Sequence, residues 1–339
     1  MNMRLFTRLA MFATALAFIV ILLGAYTRLG DAGLGCPDWP GCYGHIDVPN
    51  EHHEIHKANE AYPDRPVEPA KAWKEMIHRY FAGTLGLIVF GIAILAVRNK
   101  QHPLQLTGVP LFLSVWIVFQ ALLGMWTVTI KLNPTIVMMH LIGGFTTLSL
   151  LLWIYLRHSN SMVERRGAIV ELNKLHLPAL LGLIVVIIQL FLGGWTSANY
   201  AALACGADFP TCLGQWWPPT DFREGFVMWR GTEQNFEFGV LNNDARSAIH
   251  LSHRIGALVT TLVLVWLAVK LFRYKQSLIL NKLAVLLIIV LTCQVLLGIA
   301  NVILSLPIGI AVAHNGVGAL LLLTMVTINH AIRPRSEAL

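Results

Sequence analysis

Residues 279–304 read Ile279-Leu-Asn-Lys-Leu-Ala-Val-Leu-Leu-Ile-Ile-Val-Leu-Thr-Cys-Gln-Val-Leu-Leu-Gly-Ile-Ala-Asn-Val-Ile-Leu304. No charged residue follows Lys282, and a run of this length crosses a hydrocarbon core of ~30 Å as a helix. Seven further apolar blocks of similar length flank it, giving eight expected spans at 9–28, 76–97, 104–130, 135–156, 175–198, 249–272, 279–304 and 309–330. The whole chain has 339 residues, of which 56% are hydrophobic and 13% Asp, Glu, Lys or Arg. That charge share is about half the usual ~25% of a soluble domain. A soluble enzyme, a disordered chain and a disulfide-dense secreted domain are excluded. The expected fold is an all-α integral membrane protein.

Arg4 and Arg8 precede the first span, as in a signal peptide, but no small-residue cleavage site follows it. Fourteen Lys and Arg, from Arg4 and Arg8 through Arg165, Arg166 and Lys275 to Arg333 and Arg335, fall on one side of the eight-span arrangement. Positive residues stay in the cytoplasm, so both termini are expected inside and the long loops 31–74 and 199–248 outside. The net charge of +7 then divides into +11 within and −4 without. It is an orientation signal against an anionic leaflet, and nucleic acid is excluded as a partner.

The chain repeats itself. Gly24-Ala-Tyr-Thr27 ends span one and Gly193-Gly-Trp-Thr196 ends span five. His78-Arg79 opens span two and His253-Arg254 opens span six. Gln120-Ala-Leu-Leu-Gly124 matches Gln294-Val-Leu-Leu-Gly298, and His140 and His314 each lie 20 residues beyond that glutamine. Four spans per unit give both units one orientation, related by an axis along the membrane normal. The expected architecture is two pseudo-symmetric four-helix bundles. One covers residues 1–160 with loop 31–74, the other 161–339 with loop 199–248.

His78, His140, His253 and His314 all fall near the outer ends of even-numbered spans, less than ~12 Å deep at ~1.5 Å per residue. Ionisable residues inside a span are costly and mark function. Two facing histidines in an apolar bundle suit bis-imidazole heme ligation. Zinc wants three or four ligands at one point, and each pair offers two. Arg28, Arg79 and Arg254 lie at the same edge, where heme propionates need cationic partners.

The halves differ at one informative place. Glu75-Met-Ile-His78 corresponds to His250-Leu-Ser-His253. Positions i and i+3 share a helix face, so a carboxylate accompanies the first histidine and an imidazole the third. A carboxylate there can move protons, which places chemistry in the N-terminal half and a resident electron-transfer heme in the other. Cys36/Cys42 and Cys205/Cys212 hold equivalent outer positions, where an oxidising compartment favours disulfides. Their spacing does not match the thioredoxin motif. Cys293 is expected in core packing. His45 and the run His52-His-Glu-Ile-His56 are expected in a solvated loop.

Gly24-Ala-Tyr-Thr-Arg-Leu-Gly30, Gly35-Cys-Pro-Asp-Trp-Pro-Gly-Cys42, Glu75-Met-Ile-His-Arg79 and His250-Leu-Ser-His-Arg-Ile-Gly256 together resemble the heme A synthases, through essentially the whole chain. The resemblance implies oxidation of the C8 methyl of heme o to a formyl group, giving heme a for terminal oxidases. It implies a low-spin heme b on His253 and His314, and the substrate heme o on His78 and His140 beside Glu75. It maps the family's cysteine pairs onto Cys36–Cys42 and Cys205–Cys212. Membrane lipid, heme o synthase and terminal-oxidase assembly factors are the partners it implies, in a bacterial inner membrane, with a homo-oligomer left open. The rival readings are a two-heme cytochrome for quinol-linked electron transfer and, behind it, a transporter. Transport sites lie near the midplane on broken helices, whereas the polar residues here cluster at the outer edge.

Overall fold

The computed structural model describes residues 3–102, 105–159, 169–274 and 277–333, with the backbone alone at 169–173. The expected unit boundary at 160/161, the charges at Glu164, Arg165, Arg166, Lys275, Arg335 and Glu337, and the Glu171 side chain lie outside the described residues. All regular elements among the described residues are helices: α1 (Met3–Leu29), α2 (His52–Ala61), α3 (Pro69–Arg98), α4 (Gly108–Thr129), α5 (Pro134–His158), α6 (Ile169–Ala198), α7 (Phe222–Gly225), α8 (Asn243–Arg273), α9 (Leu278–Ile303) and α10 (Ile308–Ile332). Eight of them are long and apolar enough to span a membrane. The other two, α2 and α7, belong to the long loops.

Four spans, α1, α3, α6 and α8, begin six or seven residues before their apolar runs, and two of these starts have a visible cause. α3 starts at Pro69, where the fixed φ of proline suits the first helical turn. α8 starts at Asn243, behind the Asn242 side chain, which accepts the Ala245 N–H at 2.9 Å. An apolar run records bilayer thickness, whereas a cap records where the helix begins. His78 and His253 consequently sit in the third turn of their helices, not within the first two.

Helix packing decides which side chains can meet. α1 and α4 each pack against both α3 and α5, so α3 and α5 face each other across the interior between them. α6 and α9 likewise each pack against both α8 and α10. Contacts of α1 with α10, and of α5 with α6 and α10, join the two sets. This packing is compatible with two four-helix bundles. Lipid provides no hydrophobic drive between helices, so close approach of small residues carries the association. Ala10, Ala13 and Ala17 are fully or almost fully buried on one stripe of α1. Asn329 on α10 donates to the Ala179 carbonyl of α6 at 3.0 Å, next to the interior Pro178.

Cys293 departs from its expected place: it is exposed. It shares an outward stripe of α9 with Leu286, Ile289 and Leu296, all exposed. A helix apolar on every side carries no pattern that separates its lipid face from its core face.

The two long loops carry their own order. In each, an aspartate closes a tight turn: Asp38 accepts the N–H groups of Tyr43 and Gly44 at 2.6 and 2.7 Å, and Asp208 accepts that of Gly214 at 2.5 Å. Both cysteine pairs are disulfide-bonded. The second loop reaches across the molecule. Phe236 is buried against Leu34, Val128 and Leu132, its N–H bonds the Lys131 carbonyl at 3.0 Å, and Glu237 pairs with Arg65 at 2.8 Å.

Candidate heme-binding site

Each of the four histidines meets a glycine of a neighbouring helix. A Cβ on Gly24 would lie 2.9 Å from His78 Cε1, and one on Gly124 would lie 3.1 Å from His140 Cε1. The corresponding distances are 3.0 Å from Gly193 to His253 and 3.1 Å from Gly298 to His314. The missing side chain is what lets each imidazole bring its Cε1 edge this close to the neighbouring helix.

His78 on α3 and His140 on α5 face each other with ring centres 6.4 Å apart and planes at 84°. That separation accommodates one metal between two imidazole nitrogens at ~2 Å from each. His253 on α8 and His314 on α10 stand in the equivalent places of the other set, each against its glycine on α6 or α9. His78 Nδ1 and His314 Nδ1 are buried without a hydrogen bond. Buried polar atoms are rarely left so unless something else satisfies them. Paired neutral imidazoles in an apolar interior are donors for heme iron, and the residues fit that group. Among the described residues, no three His, Cys, Asp or Glu side chains converge as a metal cluster. His52, His53 and His56 lie on the exposed helix α2, where His53 contacts Glu51 at 3.2 Å and His56 contacts Glu60 at 3.5 Å.

Glu75 is buried on α3. Its Oε1 accepts from Arg79 at 2.5 Å and its Oε2 from the Cys36 N–H at 3.1 Å. Arg79 also donates to the carbonyls of Asp38, at 3.0 Å, and Gly41. In the other half Arg254 donates to the carbonyls of Asp208 at 2.9 Å and Thr211 at 2.7 Å, while its Nε meets His250 Nε2 at 3.3 Å. Both arginines thus fasten a disulfide loop onto the helix that bears the histidine. Arg28 donates to the Ser197 carbonyl at 2.7 Å and lies 4.0 Å over the Tyr200 ring. All three expected propionate partners lie at the helix ends beside the long loops, with donors engaged by backbone carbonyls.

Gln120 and Gln294, which the sequence marks only as part of the repeat, lie at the site, and Gln189 joins them. Gln120 and Gln189 donate through Nε2 to the backbone carbonyls of His140 and His253, at 2.7 and 3.0 Å. The same nitrogens lie 3.1 and 3.0 Å from the Nδ1 atoms of those rings. Gln294 Nε2 lies 3.4 Å from His314 Nε2. Gln189 is four residues before Gly193, as Gln120 is before Gly124 and Gln294 before Gly298. That spacing was the available signal, since it puts glutamine and glycine on one helix face.

A family model described as "Cytochrome oxidase assembly protein" matches residues 7–326. The chain is 52% identical to the heme A synthase of Shewanella oneidensis over 321 residues, 94% of each chain. It is 28% identical to the heme A synthase of Methylobacterium radiotolerans, over 93% of this chain and 86% of that one. Against the heme A synthase of Halalkalibacterium halodurans it is 27% identical, over 60% of this chain and 63% of the relative. With the match running through all eight spans and both histidine pairs, the chain belongs to the heme A synthase family of cytochrome oxidase assembly proteins.

Proposed function

We infer that this protein is a membrane oxidoreductase that converts the C8 methyl group of heme o to the formyl group of heme a, for terminal oxidase biogenesis. The observation that carries the reading is the facing pair His78 and His140, 6.4 Å between ring centres, on a chain 52% identical to a heme A synthase. His78 and His140 hold heme o, and His253 and His314 hold a heme b. When bound, that heme b supplies one-electron transfer. The apolar interior around the N-terminal pair excludes water from the reacting carbon. Glu75 supplies a carboxylate one turn from His78, held in place by Arg79 and the Cys36 amide. Arg79 and Arg254 hold the long loops over the two sites and are the cations nearest the edge for propionates, whereas Arg28 is engaged by Ser197 and Tyr200.

The protein sits in the bacterial inner membrane with both termini cytoplasmic and the heme sites toward the outer face. The Lys and Arg bias supports that orientation, and the two disulfides support an oxidising outer compartment. The two sets of four spans act as separate units, residues 1–160 for the substrate and 161–339 for heme b. Heme o synthase and oxidase assembly factors are the expected partners. The test is expression in a host that makes heme o but no heme a, with chromatography of the extracted hemes. Heme a is the expected product. Its absence, with the protein present in the membrane and heme o available, overturns the reading.

A further inference from the structure

Each disulfide loop ends in a short finger, and the two fingers match. Cys42 N–H donates to the His45 carbonyl at 2.8 Å and His45 N–H returns the bond at 3.0 Å. Cys212 and Gln215 exchange the same pair of bonds at 2.9 and 3.1 Å. The residues between them have positive φ, 55° and 79° at Tyr43 and Gly44, 54° and 75° at Leu213 and Gly214. That is a type I′ turn, the tight connection of a hairpin. Asp38 or Asp208 ties the turn from inside, and a disulfide closes the base.

The residues just past each turn are apolar and uncovered. Ile46 is 87% exposed, and Trp216, in the same place of the second finger, is 75% exposed. Trp39 stands exposed near Ile46 in the first loop, and Phe209, Leu213 and Trp217 in the second. From Cys205 to Pro219 the one charged residue is Asp208, whose carboxylate is engaged with the Gly214 N–H. Exposed clusters of large apolar side chains mark a surface that something apolar covers.

The neighbouring helices indicate what that is. The Tyr80 hydroxyl donates to the Ile46 carbonyl at 2.8 Å. Tyr80, Leu87 and Ile94 recur every seven residues on α3 and are all exposed, so they form one outward stripe. No charged residue lies between Arg79 and Arg98, and α3 is long and apolar enough to span a membrane. Ile46 therefore caps the end of a lipid-facing stripe, with Leu87 only ~10 Å further along the helix at ~1.5 Å per residue. In α8, Ile255, Leu262 and Val269 are exposed at the same distances from His253 as Tyr80, Leu87 and Ile94 are from His78. Arg254, next to Ile255, holds the second finger by the carbonyls of Asp208 and Thr211, and the Phe209 ring lies 6.0 Å from its guanidinium. Both fingers are thus continuous with the lipid-facing surface of a span.

We propose that the two disulfide fingers are interfacial membrane anchors, with Trp39 and Ile46 of one and Phe209, Trp216 and Trp217 of the other resting among phospholipids at the headgroup–acyl boundary. Tryptophan is enriched at that boundary, where an apolar ring with one polar edge is best accommodated. Each long loop is then held at two points, by Arg79 or Arg254 to the helix that bears a histidine and by its apolar tip to the bilayer surface. The inference needs the spans alone and does not depend on the heme assignment.

The test uses the full-length protein in phosphatidylcholine vesicles containing a trace of phosphatidylcholine with a diazirine high on its acyl chain. After illumination, labelled residues are located by peptide mass spectrometry, and a parallel sample is oxidised by hydroxyl radicals generated in the water. Ile46, Trp216 and Trp217 are expected to carry the lipid label, with Leu87 and Leu262 reporting in the same sample that the spans are in lipid. Trp216→Asp with Trp217→Asp should cut labelling of residues 205–219 several-fold and leave Leu262 unchanged. If that variant does not fold, the wild-type pattern decides by itself. Tips that take no lipid label but are strongly oxidised are solvated, and tips protected from both reagents are covered by protein, such as a second copy of the chain. Either pattern overturns the proposal, as does undiminished labelling in the folded double variant.

Discussion

The Cys36 backbone N–H donates to Glu75 Oε2 at 3.1 Å, joining the first disulfide loop to the carboxylate of α3. The other carboxylate oxygen takes Arg79 at 2.5 Å, with the two side chains 6% and 12% exposed. Glu75 is therefore both a candidate proton carrier and the point where the loop is pinned. Removing one partner of a buried pair leaves the other unpaired, a cost of about 3–5 kcal/mol. Glu75→Ala is expected to lower the thermal midpoint of the purified protein and to expose the Cys36–Cys42 disulfide to mild reductant. Glu75→Gln keeps an acceptor for the Cys36 N–H and should retain most of the loop protection while losing turnover of heme o. Equal reduction rates in the two variants would show that the loop is held elsewhere.

The four histidines should divide into two pairs by which heme they release. His253→Ala and His314→Ala are expected to abolish the low-spin heme b signal, because each removes one axial ligand. His78→Ala and His140→Ala should leave that signal in place and instead lose bound heme o. Pyridine hemochrome spectra with chromatography of the extracted hemes read both quantities from one preparation. Loss of both hemes from every variant would refute two independent sites.

Eight spans were legible because a bilayer imposes one length on apolar runs, and the family followed from residues around His78 and His253. The limits of that legibility are physical. Helix starts at Pro69 and Asn243 depend on caps outside the apolar run. Cys293 was misplaced because α9 is apolar on all sides, so its sequence holds no signal for its lipid face. Gln189 carries no such mark in the sequence, because its span matches the first by its end at Gly193 and not by its interior. The cross-molecule reach of Phe236 is a tertiary contact made by a polar loop with no periodicity.

The glycines against the histidine rings give a graded prediction. Gly193→Ala would put a Cβ 3.0 Å from His253 Cε1, closer than ordinary contact, and Gly124→Ala would do the same at 3.1 Å from His140. Each is expected to tilt one imidazole and weaken heme retention in its own half only. Gly83 is the control, since a Cβ there meets nothing within 4 Å. Gly83→Ala should leave both hemes bound and favour the helix slightly, by up to ~1 kcal/mol. Heme stoichiometry in the three variants decides the matter, and a similar loss at Gly83 would remove the steric explanation.

Tyr43 gives the first long loop a pH signature. Burial, the largest cause, pushes its phenol up to about 12 from 10.0, with Arg65 opposing. The hydroxyl donates to the Pro66 carbonyl at 3.2 Å. A group that holds its proton more tightly when folded gives stability that is complete below the unfolded value. That contribution is lost as pH rises from 10.0 toward about 12. Ultraviolet titration of the phenolate band should show one late component, absent in Tyr43→Phe. The variant should also lose less stability across that alkaline window. A wild-type titration curve without that late component would contradict the buried setting.

Arg28 tests whether the edge arginines serve structure or cofactor. It reaches from α1 to the C-terminal end of α6, donating to Ser197 at 2.7 Å and lying 4.0 Å over Tyr200. A cation at a helix C-terminus faces unpaired carbonyls and the negative end of the dipole, and a charged hydrogen bond is worth about 1.5–3 kcal/mol. Arg28→Ala should lower the thermal midpoint accordingly. Arg28→Lys should recover little, because a single ammonium lacks the planar face that stacks on the ring. Heme retention should remain close to wild type in both, since the donors serve Ser197 and Ala198. Measuring the thermal midpoint and the rate of heme transfer to apomyoglobin on the same samples separates the two roles. A normal midpoint with accelerated heme loss would assign Arg28 to a propionate instead.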